Sequence, residues 1–251
     1  MTAKEEMNSI NKTARSTEIS PNIFARVYGL LYLVHFGSFF NLGFVRQSLI
    51  VPGDAAATVN NIMASESLFR LGIVSDLIAQ TLQILLVLVL YKLLKPVNKN
   101  LALLMVILAL VGIPIAMLNL LSHSTALLLL SGASYLTVFT ADQLQALVML
   151  FLDLQTHGIS IANIFWGLWL FPLGYLVFKS GFLPRILGIL LMVGWLGYML
   201  DFFTFFLFPD FNTTIEPIFQ ITGIGEFLFP LWLLIKGVNV EEWEKRALQS
   251  T

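Results

Sequence analysis

The sequence predicts an all-α fold: a polytopic transmembrane helical bundle of about seven membrane helices, or six full crossings, with a short interfacial helix after the first span. Three observations predict it. Of the 251 residues, 57% are apolar and only 12% are charged, whereas an ordinary soluble domain carries about 25% charged residues. That leaves too little polar surface to cover a water-exposed globule. The apolar residues gather in runs of roughly 20, the length that crosses ~30 Å of hydrocarbon at ~1.5 Å per residue. The 21 Phe, 5 Trp and 6 Tyr suit lipid-facing helices and the aromatic belts at membrane borders. The same composition excludes whole function classes. Without cysteine there are no disulfides, thiolate metal sites, Fe–S clusters or Cys nucleophiles. Fourteen Lys and Arg against fifteen Asp and Glu give a net charge of −1, which removes the basic stripe that a nucleic-acid partner needs.

Residues 1–22 are polar and mixed in charge, with no short apolar run and small-residue cleavage site directly after them, and are expected to form a cytoplasmic tail. A single transmembrane domain is expected over 23–238, followed by a charged tail over 239–251. Within the domain the first span runs from about Phe24 to Val45. Val51-Pro52-Gly53-Asp54 then forces a turn, and Asp54 can accept from the free N–H groups of a short helix over Ala55 to about Glu66. Leu68–Tyr91 is the second span, closed by Lys92, Lys95, Pro96 and Lys99; Leu101–Leu121 is the third, with Pro114 as a kink. Asp142–His157 reads as a fourth membrane helix barely long enough to cross. Ile159–Phe178, Ile186–Phe208 and Ile218–Ile235 follow as clearer spans.

Lys and Arg near membrane ends favour the cytoplasmic side. With the N-terminus inside, Lys4, Lys12, Arg15, Arg26 and the basic loop 92–99 lie there, and only Arg46 and Arg70 fall outside. Lys179, Arg185, Lys236, Lys245 and Arg246 join the inner group if the chain crosses six times, and move outside if 142–157 is a full span. The charge rule favours six crossings, and helix length allows seven. The expected location is the cell membrane, inner or plasma, with the bilayer itself as the first partner.

Several local runs are distinctive: Val51-Pro52-Gly53-Asp54-Ala55-Ala56-Ala57-Thr58 with Asn61-Ile62 and Phe69-Arg70; Leu94-Lys95-Pro96-Val97-Asn98-Lys99; Phe165-Trp166-Gly167; Ser180-Gly181-Phe182-Leu183-Pro184-Arg185; and Leu231-Trp232-Leu233-Leu234-Ile235-Lys236-Gly237. Together they resemble the DUF4386 family, bacterial multi-pass membrane proteins without an assigned function, over about residues 22–238. Trp166 stands where a second Phe is expected. The resemblance implies a bacterial inner-membrane helical protein and supplies no catalytic residues, so candidate sites rest on physics alone.

An ionisable group inside hydrocarbon costs at least ~2.5–3.5 kcal/mol and needs a partner, a wet cavity or neutralisation. Asp76, Asp153, Asp201 and Glu226 fall within spans. Gly72, Asp76, Gln80 and Gln83 recur at four, four and three residues and share one helix face. Tyr28, His35 and Arg46 align on the first span, with Ser38 near them. Thr222 and Glu226 share a face with Pro230, which should deform the helix after the carboxylate. The candidate polar cavity is therefore Asp76, Gln80, Gln83, His35, Tyr198 and Glu226, lining a site for a small polar or amphiphilic ligand. The bland alternative is that these groups satisfy one another and fix helix packing. A candidate outer-mouth cluster comprises Arg46, Asp54, Asn61 and Arg70, with Glu66 close by; it could hold an anion or a headgroup, or pair internally.

No metal site is expected, because the three histidines are not spaced as ligands and no His-Glu-x-x-His occurs. No cofactor motif and no hydrolase Gly-x-Ser-x-Gly is found. Ser160, Gly167, Gly174 and Gly181 recur every seven residues, and Gly188, Gly194 and Gly197 follow on the next span. Such faces admit a close helix, either within the chain or in a homodimer. Three functions remain open: a ligand binder or transporter, an accessory or sensory protein acting through membrane partners, and a lipid-modifying enzyme with His35 or an acid as base.

Overall fold

The structure, a computed structural model, describes residues 20–249, with the side chains of 39–44 and 212–216 outside that description. Most of the expected tail, including Lys4, Lys12 and Arg15, lies outside the described residues. The rest is helical, with no strand among the described residues.

Helix α1 (Pro21–Gln47) opens on a proline, whose missing N–H costs nothing in a first turn. Gly53, at φ +76°, turns the chain into α2 (Ala55–Ala64), where the Asp54 carboxylate accepts from the Ala57 N–H at 2.8 Å. Helix α3 (Glu66–Leu94) follows at once, and α4 (Lys99–Leu129) starts behind Asn98, whose side chain caps the Leu101 N–H at 2.9 Å. Helix α5 (Ala141–Ser180) begins with a capping box between Thr140 and Gln143 and ends at Gly181, in the left-handed region at φ +78°. Next come α6 (Arg185–Leu207), α7 (Asn212–Thr222), α8 (Ile224–Ile235) and α9 (Val240–Gln249). Five helical segments among the described residues are long and apolar enough to cross a membrane: α3, α4, α5, α6 and Pro217–Ile235.

Two expectations are corrected. The membrane helix expected over 142–157 does not stand apart from 159–178, because both belong to the 40-residue α5. Gly158 is not a terminator. The Asn119 side chain of α4 occupies the space its Cβ would need and donates to the Gln155 carbonyl at 2.7 Å. The second correction concerns 218–235, which divides at Gly223, three residues before Glu226. The deformation expected from Pro230, after that carboxylate, does not end the helix: α8 runs through Pro230. The charged tail over 239–251 is helical for most of its length.

Burial forms two apolar cores. The larger one joins Leu86, Leu90, Met105, Leu173, Leu191 and Phe229 from α3, α4, α5, α6 and α8. The smaller one, towards the other end, joins Val59 and Ile62 of α2 to Phe69, Ala126, Val148 and Leu152. At the end beyond the large core, the chain ties itself together over long sequence distances. The Val238 N–H donates to the Asn22 side chain at 2.8 Å, the Trp243 indole to the Leu93 carbonyl at 2.8 Å, and Arg246 to the Lys179 carbonyl at 3.0 Å. The start of α1 and the ends of α3, α5 and α8 therefore meet at one end, which is also the basic end.

Counting about 20 residues, one hydrocarbon thickness, from the basic residue of each helix gives a consistent level. Arg26 leads to Arg46, Lys92 to Gly72, Lys99 to Asn119, Lys179 to Ile159 and Arg185 to Phe205. Lateral contacts agree with that count: Arg46 lies against Gly72, Asn119 against Gly158, and His157 against Phe205 at 5.1 Å between rings. Helix α2 and the far ends of α4 and α5 project past this level, forming a cap over one side of the bundle.

The glycine stripe packs within the chain. Gly167 meets Tyr198 and Met199, and Gly174 meets the Gly188 backbone, where an added Cβ would come within 2.7 Å of a carbonyl oxygen. Gly181 instead caps α5 with open space around it. Gly188→Val should destabilise the protein by about 1–3 kcal/mol through overpacking. Gly37→Ala, which meets nothing within 4 Å, should leave stability unchanged or raise it by up to about 1 kcal/mol through helix propensity. Thermal unfolding in detergent, read as the difference between these two variants, checks the helix contact.

Candidate functional site

The predicted face of α3 is buried throughout: Gly72, Asp76, Gln80 and Gln83 all point into the protein. Gly72 matters because it lacks a Cβ. The Arg46 side chain lies over it, 3.3 Å from where a Cβ would sit, and so reaches Asp76 from the C-terminal turn of α1. The Arg46 Nη1 donates to the Asp76 Oδ2 at 2.5 Å, with both side chains 8% exposed. Ser75, beside Asp76, donates to the Ser38 carbonyl at 2.6 Å, a second tie between α1 and α3. His123 of α4 stands edge-on to Phe69 at 5.5 Å.

This layer separates the two apolar cores, and its hydrogen bonding is incomplete. Arg46 Nε, Asp76 Oδ1, Gln80 Oε1 and His123 Nδ1 are buried without a hydrogen-bond partner among the described residues. A buried polar group left unpaired costs about 1–3 kcal/mol, and more when charged. The layer is therefore expensive.

The other candidates are distributed differently. His35, half-buried, places Nδ1 2.9 Å from the Ala79 carbonyl, so with that nitrogen protonated it donates across to α3. Tyr198 and Glu226 form a second polar group, with Tyr28 and Tyr32 nearby. Tyr32 also stands 6.0 Å from the His35 ring and bridges the two groups. The structure thus brings Asp76 to Arg46 and Glu226 to Tyr198, and does not gather all six cavity candidates around one space. No hydrogen bond from His35 to a carboxylate occurs among the described residues.

The outer-mouth candidates also part. Arg46 serves Asp76, Arg70 pairs with Glu66 at 2.7 Å on the surface of α3, Asp54 caps α2, and Asn61 donates to the Leu49 carbonyl at 3.2 Å. Sequence reading placed Arg46 and Asp76 in separate groups, and it omitted His123 from the cavity. Their separation of 30 positions carries no helical period. A signal was present only in Gly72, whose small size on an acidic face marks a place where a large side chain can lie down. Beyond the second core a cavity of about 380 Å³ opens between α2, the end of α4 and the start of α5, lined by Val59, Met63, Leu129, Leu136 and Leu144 with Asn60, Thr137 and Gln145. No candidate residue lines it. Among the described residues no group of three His, Asp or Glu could hold a metal ion.

These helices and their buried polar layer have the features of a multi-pass α-helical membrane protein. The chain belongs to the family described as "Domain of unknown function (DUF4386)", whose model matches residues 27–237. It is similar to an "Uncharacterized protein" of Archaeoglobus fulgidus, 38% identical over 84 residues, which are 34% of this chain and 49% of that protein. The match thus spans about half the length of that relative. No solved structure matches the chain.

Removing one member of the buried pair strands the other charge, which typically costs about 3–5 kcal/mol. Asp76→Ala should therefore lower unfolding stability by that amount. The double variant Arg46→Met with Asp76→Leu should recover most of it, because an apolar pair of similar volume carries no desolvation cost. Denaturant unfolding of Arg46→Met, Asp76→Leu and the double in one detergent measures the coupling.

Proposed function

We propose that this protein crosses the cell membrane six times with both ends in the cytoplasm, and that its polar layer binds a small, uncharged polar solute. The single observation that carries the binding reading is the set of buried hydrogen-bonding atoms without a partner among the described residues: Arg46 Nε as donor, Asp76 Oδ1 and Gln80 Oε1 as acceptors, and His123 Nδ1. The Arg46–Asp76 pair sums to zero charge, so an ionic guest would bring an uncompensated charge into a low-dielectric place. A hydroxyl or amide group, which donates and accepts at once, uses these atoms without that cost.

Six crossings follow from counting α1, α3, α4, α5, α6 and the α7–α8 pair as one span each. The reading is supported by the gathering of Lys92, Lys95, Lys179, Arg185 and Lys236 at the end where both described termini lie, as positive-inside sorting requires. It places Arg46 and Asp76 close to the outer border, reachable by solutes from outside.

The chain has no cysteine, so any introduced thiol is its only one. In intact cells a membrane-impermeant thiol reagent should modify Thr137→Cys and leave Lys95→Cys and Lys236→Cys untouched. Modification of either lysine position would sink the orientation. For the site, Gln80→Cys should react with a small uncharged polar thiol reagent at least about tenfold faster than Leu90→Cys, which sits in the dry core, since only the former lines an environment where polar molecules are solvated. Equal rates at the two positions would remove the polar layer from consideration as a binding site.

A further inference from the structure

The corner where α5, α6 and α9 meet carries cations from three separate stretches of chain. Helix α5 ends at Lys179 and Ser180, Gly181 turns the chain, and α6 starts at Arg185. Gly174 and Gly188 let the two helices touch backbone to backbone just inside this turn, so Lys179 and Arg185 are held on adjoining helix ends. Arg246 arrives from α9, 67 positions further on, and donates to the Lys179 carbonyl at 3.0 Å. One N–H of its guanidinium makes that bond, out of the five such a group carries. Lys179 and Arg185 are exposed, and each lies over an aromatic ring of α5: Lys179 over Tyr175 at 5.9 Å, and Arg185 over Phe178 at 5.7 Å. These rings hold the long side chains at the corner.

No carboxylate among the described residues lies within ion-pairing distance of any of the three, although Lys245 on the same helix α9 pairs with both Glu241 and Glu242. Glu241 and Glu242 are thus committed to Lys245, and Glu244, the third carboxylate of α9, pairs with none of the three cations. Directly below the cations, on the side towards the middle of the bundle, the surface turns apolar: Tyr175, Ile186 and Ile189 are exposed side chains on the outer faces of α5 and α6. A cluster of positive charge above an exposed apolar flank matches a molecule with an anionic head and a hydrocarbon tail. Its position at the basic end of two membrane-length helices puts it at headgroup height.

We infer that the corner formed by Lys179, Arg185 and Arg246 is a binding site for an anionic phospholipid of the surrounding leaflet. The phosphate lies among the three cations, which supply point charges and a planar guanidinium fork, and an acyl chain lies along Tyr175, Ile186 and Ile189. The site sits at the end of the bundle opposite the Arg46–Asp76 layer and is independent of it.

The test uses the full chain, equilibrated in mixed micelles with equal parts of phosphatidylcholine and phosphatidylglycerol and measured by native mass spectrometry. The wild type should retain phosphatidylglycerol over phosphatidylcholine by about tenfold, as a few lysine or arginine contacts to an acidic lipid provide. Combining Lys179→Gln, Arg185→Gln and Arg246→Gln should abolish the preference, whereas Lys95→Gln with Lys99→Gln, at the same end of the bundle, should leave it. Arg185→Gln alone, which spares the Arg246–Lys179 contact, should lower it about threefold. An absence of preference in the wild type, or an equal loss in both multiple variants, overturns the proposal. Displacement of the lipid by millimolar inorganic phosphate likewise overturns it, by showing a free-anion site in place of a lipid one.

Discussion

Much of this structure depends on one buried ion pair. Arg46 and Asp76 meet at 2.5 Å between two apolar cores, where neither could stay charged alone. The pair fixes α1 against α3 in height and rotation, and Gly72 supplies the room for it. A one-turn slip between these helices would move Arg46 away from its counter-charge, and Ser75 would lose the Ser38 carbonyl. The level set by this contact agrees with Asn119 lying against Gly158 and with His157 lying against Phe205, so the register of one helix pair is shared across the bundle.

The opposite end is organised by backbone caps in place of charge pairing. Asn22, Trp243 and Arg246 each bond a main-chain group more than 60 positions away, and the last two donate to carbonyls in the C-terminal turns of helices. Helix α9 is therefore a clamp across the ends of α3 and α5, built from an aromatic residue that packs on the main core and charged residues that stay in water. Cations are abundant here and two of the three carboxylates of α9 pair with Lys245, while no carboxylate among the described residues pairs with Lys179, Arg185 or Arg246. The two ends thus differ in kind: one buries a neutral pair, the other displays free charge to its surroundings.

Much of the fold was legible beforehand. The spacing of Gly72, Asp76, Gln80 and Gln83 announced a buried face, Asp54 announced a cap, and the runs of apolar residues announced α3 and α6 to within about three residues, whereas α4 runs on to Leu129, past the expected end at Leu121. Gly158 and Gly223 misled in opposite ways. The first was read as a break, yet it serves an Asn119 contact inside one long helix; the second ends α7 where a continuous span was expected. A glycine that permits packing and a glycine that ends a helix look the same in one dimension, because the difference lies in the neighbour. The same limit applied to the candidate site: Asp76 and Arg46 were each recognisable as costly, while their pairing with one another was not.

Composition and period are local properties, so the sequence was sufficient to establish a helical membrane protein, the family to which it belongs, the sorting of basic residues and the inward faces of single helices. Which charges meet, which helices are continuous and which chain ends share a side are decided by contacts between positions 30 to 216 residues apart. Such contacts are chosen by the mutual fit of several helices at once, through the room left by Gly72, Gly174 and Gly188 and the cost of leaving Arg46 or Asp76 unpaired. That choice is a collective minimum, and no periodicity within a single helix encodes it.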